Sequence, residues 1–140
     1  MHRLAFALVL FLPSLVAADK TLAKGAVHDC KTDPVVSIPN GKGTFTFKGH
    51  CTKISIGGGK NTLTIDELDE LALGGGENTI TAKSIDALNI GGAKNTITVD
   101  TVGAINVAGA FNKITWKKAK AGDKPKLTGQ PDKNTITQSK

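Results

Sequence analysis

A chain of 140 residues with 18 basic and 12 acidic side chains is long enough for one domain and carries a formal charge of +6. Arg3 is the only arginine, the other basic residues are lysines, and aromatics make up 4% of the chain. Nucleic-acid readers lean on arginine forks and stacking aromatics, so that class is excluded; the lysines read as solubility and strand-edge protection, with a weak pull towards anionic surfaces.

The chain opens with His2 and Arg3, an apolar run from Leu4 to Leu12, Pro13, and the small residues Val16-Ala17-Ala18. This is the layout of a secretory signal peptide over residues 1–18, cleaved near Ala18. The run is too short to span a bilayer, so the expected mature chain is periplasmic or secreted with no transmembrane segment. In an oxidising compartment Cys30 and Cys51 read as one disulfide, worth on the order of 3 kcal/mol for a loop of this length. His28 and His50 stand beside them, which allows a zinc site on paper. The spacing fits neither half of an ordinary one, and no metal or cofactor is expected. Residues 19–35, with Lys20, Lys24, Lys31 and Pro34, read as an N-terminal cap or partial coil.

The repeat domain is expected over 36–140. Val36-Ser37-Ile38 and Gly43-Thr44-Phe45-Thr46-Phe47 return 18 residues later as Ile54-Ser55-Ile56 and Asn61-Thr62-Leu63-Thr64-Ile65. Cys51 and Leu68 are 17 apart, so one extra residue sits around Lys48-Gly49-His50, a corner bulge. From there the period is regular, and Asn61, Asn78, Asn95 and Asn112 follow one another at intervals of 17. Each coil has an apolar-x-apolar segment, a glycine turn in which glycine is expected to round the corner, and Asn-Thr-apolar-Thr. Leu68, Ile85 and Val102 close the first three coils. Strict alternation is the signature of strands, and short strands at a fixed period with glycine corners predict an all-β, parallel β-solenoid of five to six coils. The stretch 117–126, rich in lysine, reads as an inserted surface loop, after which Leu127 and Asn134 restore the pattern.

Stacked in register, the coils give interior rows. Leu63, Ile80, Ile97 and Ile114 form one, and Ile65, Ala82, Val99 and Trp116 another; Ile56, Leu73, Ile90 and Val107 form a third, and Leu68, Ile85 and Val102 a fourth. Three apolar sides imply a roughly triangular section. The four asparagines fall inward at one corner, where stacked amides bond each other and the turn backbone, a structural ladder. Outside, Lys60, Glu77 and Lys94 alternate in sign, as do Asp66, Lys83, Asp100 and Lys117; such ladders set register more than they stabilise.

Phe47-Lys48-Gly49-His50-Cys51, the phrase Ile54-Ser55-Ile56-Gly57-Gly58-Gly59-Lys60-Asn61-Thr62-Leu63-Thr64, and the ending Asn112-Lys113-Ile114-Thr115-Trp116 followed by a Lys/Gly/Pro loop and Asn134-Thr135-Ile136 resemble a family of exported bacterial proteins known as domain of unknown function family 3060. The resemblance covers about Val27 to the end. It implies export from a bacterial cell and brings no activity, cofactor or catalytic residue with it. The glycine-rich turns carry less Ser and Asn than that family's pattern.

Two kinds of surface compete for function. Thr62, Thr64, Thr79, Thr81, Thr96, Thr98 and Thr115 point outward, with Thr44 and Thr46 before them and Thr135 and Thr137 after. Only Lys113 breaks this flat Thr-x-Thr array, whose spacing is ~4.8 Å between coils and ~6.7 Å along a strand. It is similar to the water-ordering face of solenoid antifreeze proteins, although threonine also simply suits an exposed strand. The second outward row, Ser55, Ala72, Asn89 and Asn106, is also small and flat. A carbohydrate-active enzyme, the less favoured reading, would need paired carboxylates in a cleft. Asp66, Glu67, Asp69, Glu70 and Asp86 gather at one corner, but short coils offer no cleft walls, and a solvated corner is the expectation. The sequence therefore points to a non-enzymatic structural or binding module of the bacterial envelope, with ice or ordered-water binding as the alternative. An envelope glycan, an envelope protein and self-association all stay open as partners.

Overall fold

The computed structural model describes residues 20–22 and 24–140; the expected signal peptide lies outside the described residues. The described residues form ten strands and one short 3-10 turn, Pro131–Lys133. The first three, β1 (Lys20–Thr21), β2 (Val27–Asp29) and β3 (Val35–Ile38), are short. Four long ones follow: β4 (Thr44–Ile56), β5 (Thr62–Leu73), β6 (Thr79–Ile90) and β7 (Thr96–Val107). The last three are β8 (Lys113–Ala119), β9 (Lys126–Gly129) and β10 (Thr135–Gln138). All pair in parallel, in the order β1-β3-β4-β5-β6-β7-β8-β10, with β2 on β4 and β9 on β7. This is a β-solenoid of about 6 turns.

Each long strand wraps around the axis instead of running straight. Pairing between β5 and β6 covers Thr62–Ile65, Glu67–Leu68 and Glu70–Leu73, and skips Asp66 and Asp69. Those two positions are corners, and the glycine turn is the third, so the coil has three sides of unequal length. Alternation puts one residue in two inside on each side. The result is continuous rows of buried side chains, such as Phe45, Leu63, Ile80, Ile97 and Ile114, all at most 2% exposed. No coil encloses a core alone; its apolar residues leave water only against the coils above and below.

The N-terminal segment is a partial coil. β1 pairs with Val36 and Ser37, and β2 with Thr46 to Lys48. Cys30 bonds Cys51 across a Cα–Cα distance of 4.9 Å. Cys51 pairs in register with Leu68, so the disulfide extends the Leu68 row where a larger apolar side chain would otherwise sit. The bond takes both thiols, which rules out the two-His, two-Cys zinc arrangement. His28 turns its Nε2 to the Asp33 carbonyl at 2.8 Å, and its ring lies edge-on to Phe47. The bulge lies between Phe47 and His50 as its length requires, with Gly49 in the left-handed region at φ 79°.

Two sequence expectations change. The insertion is shorter than 117–126, because β8 continues to Ala119, pairing Thr101 with Lys118 and Val102 with Ala119. Lysines on the outward positions hid that strand, and the loop proper is 120–125. β9 then places Leu127 on Ile105, as the restored spacing implies. The second change concerns the turns. The left-handed residue of each is not a glycine but the residue before the asparagine, Lys60, Glu77, Lys94 and Phe111, with Lys42 before Gly43 in the same place one coil earlier, all at φ 59–61°. Among the turn glycines, Gly58, Gly75, Gly92 and Gly109 serve another need. A Cβ on Gly92 would run into the carbonyl oxygen of Gly75, and one on Gly75 into that of Gly58. Glycine is there because the backbones of adjacent turns touch.

Gly92→Ala is therefore expected to destabilise the fold by about 3 kcal/mol through backbone displacement. Lys94→Gly, which relieves a left-handed lysine, is expected to be neutral or to stabilise by up to about 1 kcal/mol. Chemical denaturation of the two variants against the parent checks both. Asn95→Ala leaves the Asn78 backbone N–H and the Gly75 carbonyl without partners and should cost about 3 kcal/mol by the same measurement.

Candidate functional site

The side formed by the Asn-Thr strands is framed by two ladders. At its leading corner the Asn78 backbone N–H donates to Asn95 Oδ1 at 2.9 Å, and the Asn78 Nδ2 to the same oxygen at 3.0 Å. Asn95 in turn donates from Nδ2 to the Gly75 carbonyl at 3.1 Å and to Asn112 Oδ1 at 2.9 Å. The four asparagines are each 1% exposed. The ladder is longer than the four evenly spaced residues. Asn134, 22 positions after Asn112, accepts from the Asn112 N–H at 2.9 Å, and at the other end the Gly43 N–H donates to Asn61 Oδ1. Asn134, which restores the repeat pattern after the inserted loop, thus joins the ladder as its last member.

At the trailing corner the charges alternate. Asp66 meets Lys83 at 2.7 Å and Asp100 meets Lys117 at 2.6 Å. Asp29 and Lys48, paired in register, continue the alternation towards the N-terminus. The Lys83 hydrogen bond, with a second from the Gly49 N–H, holds the Asp66 carboxyl below its ordinary 3.8, and Lys83 is raised in return. What Asp66 adds to stability is thus present above that ordinary value and lost as pH falls through the lowered one. At the glycine corner Lys60 reaches Glu77 at 3.6 Å.

Between these ladders lies the threonine face. Thr44, Thr62, Thr79, Thr96, Lys113 and Thr135 pair coil to coil in one rank. Thr46, Thr64, Thr81, Thr98, Thr115 and Thr137 pair in the other. Thr62, Thr64, Thr79, Thr81, Thr96 and Thr98 are exposed, and Thr115 is half-buried. No register shift interrupts this side of the coil between β4 and β8. The third side carries the other small row, Ser37, Ser55, Ala72, Asn89 and Asn106. With the glycine corner it forms a shallow groove of about 540 Å³.

The acidic corner is largely neutralised by neighbouring coils. His50 meets Asp69 at 2.5 Å, Lys53 meets Glu70 at 3.2 Å and Lys120 meets Asp86 at 2.5 Å. His50 therefore belongs to a coil wall, and its reach to Asp69, past its register partner Glu67, does not follow from the repeat pattern, whereas Lys53 and Glu70 are register partners one coil apart and Lys120 stands two intervals beyond Asp86.

A family model described as "Protein of unknown function (DUF3060)" matches residues 40–86 and 73–130. The chain belongs to that family. No curated protein and no solved structure matches it. The stretch matched to DUF3060 begins at Asn40, whose carbonyl receives the Asn61 Nδ2, and takes in Asn61, Asn78, Asn95 and Asn112 with the threonine strands between them. Cys30 lies before it. In this DUF3060 chain no helix of the described residues is long and apolar enough to cross a membrane, and the disulfide joins cap to coil.

The hydrogen bond that the protonated His50 ring donates to Asp69 Oδ1, with the charge of that carboxylate, raises His50 above the ordinary 6.5. What the pair adds to stability is full below that ordinary value and fades as pH rises through the raised one. An NMR titration of the His50 ring should read a midpoint above 6.5 that falls back towards it in Asp69→Asn.

Proposed function

We propose that this DUF3060 protein is an exported, non-enzymatic structural or binding module of the bacterial envelope whose working surface is the threonine face. The observation that carries the reading is the two-rank register of eleven threonines across six coils, uninterrupted except at Lys113. Hydroxyls repeating at ~4.8 Å along the axis and ~6.7 Å across it suit a ligand that is itself periodic. A small-molecule substrate instead needs an enclosed pocket with a few convergent polar groups, and the acidic corner spends its carboxylates on neighbouring cations. Export accords with the Cys30–Cys51 disulfide, which persists in oxidising compartments.

Ordered-water or ice binding is the second reading, favoured by the absence of charge on the face apart from Lys113. Hydroxyls and methyls alternate there, and Lys113 is the one long side chain in the array.

Retention on purified, insoluble envelope glycan tests the first reading. Thr79→Lys with Thr96→Lys, in the middle of the face, should abolish retention while stability stays within about 0.5 kcal/mol of the parent. Glycan turnover that disappears in Asp69→Asn or Asp86→Asn would refute a non-enzymatic role. For the second reading, thermal hysteresis should be measurable and lost in Thr79→Leu with Thr96→Leu; none at high concentration removes it.

A further inference from the structure

The charge of the molecule is not spread along the solenoid. Residues 20–112 contain nine lysines and nine acidic residues, and residues 113–140 contain eight lysines against two aspartates, Asp123 and Asp132. The body is neutral, and the whole excess sits on the final coil. Lys117 and Lys120 are held by Asp100 and Asp86. Lys118, Lys124, Lys126 and Lys133 are exposed and make no ion pair among the described residues.

The same end carries apolar surface. Among the described residues three large apolar side chains are exposed, and two belong here: Phe111, 76% exposed, and Leu127, 46%. Phe111 occupies the turn position that is lysine or glutamate in the other coils, and its N–H donates to the Lys133 carbonyl at 2.8 Å, which sets the ring beside the last turn. Leu127 stacks on Ile105 with its other side uncovered. Lysines alone would serve any polyanion. Lysines interleaved with an exposed phenyl ring and a leucine are the composition of an interfacial membrane contact.

We propose that the C-terminal coil, through Lys118, Lys124, Lys126, Lys133, Phe111 and Leu127, docks the solenoid end-on to a bilayer surface bearing anionic lipid headgroups. This leaves the threonine face clear along the length of the rod, and it does not depend on what that face binds. A second copy is a poorer occupant: two such ends repel, and the neutral body offers no counter-charge.

Co-sedimentation of the full chain with vesicles of equal parts phosphatidylglycerol and phosphatidylcholine, against pure phosphatidylcholine, tests the proposal. Binding should require phosphatidylglycerol and fall steeply with salt. Each lysine near such a surface is worth about five-fold in partitioning, so Lys118→Glu with Lys124→Glu and Lys126→Glu should weaken binding at least about a hundred-fold. The charge-matched set Lys24→Glu, Lys31→Glu and Lys42→Glu should stay within about three-fold of the parent, being remote from the contact beyond a screening length. Phe111→Ser should weaken vesicle binding several-fold and leave any affinity for soluble polyphosphate unchanged. Equal loss in the two lysine sets, or binding indifferent to phosphatidylglycerol, overturns the proposal. So does polyphosphate bound as tightly as vesicles with Phe111→Ser silent in both, which makes the ligand a free polyanion. A concentration-dependent dimer in sedimentation velocity that Phe111→Ser abolishes makes the occupant a second copy and overturns it equally.

Discussion

Each interior asparagine has four hydrogen-bonding capacities in its side chain, and the coil geometry uses all of them at Asn95. Its oxygen accepts the backbone N–H and the amide of Asn78; its amide donates to Gly75 and to Asn112. Only a side-chain amide offers this set, and asparagine holds it on the shorter stem. Serine and threonine are too short to span two coils, and aspartate has no donor. The consequence is a rigid corner in which the start of every outward strand is pinned to the strand beside it. The contact distance at that corner then leaves no room for a Cβ on Gly75, Gly92 or Gly109, and forces Lys60, Glu77, Lys94 and Phe111 into a left-handed conformation that costs about 1 kcal/mol apiece. The strain persists because the ladder and the core rows around it over-determine the turn.

From that corner the rest of the coil follows. With the strand start pinned, alternation sends Leu63 and Ile65 inward and Thr62 and Thr64 outward, and the next residue reaches the second corner as Asp66. Charges of alternating sign there oppose a slip by one coil, because a slip would bring like charges together. The two ladders do different work. The amide ladder is buried and satisfies groups that water cannot reach. The charge ladder is exposed, so its pairs are worth little each and act mainly on register. The threonine face is regular because it is bounded on both edges by a constraint.

The two ends show how a repeat stops. Towards the N-terminus of the described residues a disulfide and the edge-on contact of His28 with Phe47 tie the partial coil to its neighbour. At the C-terminus Asn134 closes the amide ladder by accepting Asn112 and donating to the carbonyls of Gly109 and Gln130, while its own N–H turns back to Pro131. The lysines gathered on this coil discourage strand addition. Together with Phe111 and Leu127 they also give the molecule a chemical polarity that a uniform repeat lacks.

Period, alternation and side-chain type were legible in the chain itself. Asparagines 17 apart and single apolar residues between threonines lead to a parallel solenoid, an amide ladder and a threonine face, because each depends only on which residues recur at a fixed interval, and two cysteines in the chain lead to one disulfide. Tertiary structure decided what depends on distances between coils. The closeness of Gly92 to Gly75 reassigns the glycines from turn-formers to spacers. The reach of His50 to Asp69 passes its register partner Glu67, and that of Lys120 to Asp86 skips the coil of Gly103 between them, so pairing of adjacent coils announces neither. Strand β8 continued through lysines because its inward residue, Ala119, packs on Val102, and a side chain that small does not mark a strand until its neighbour is in place.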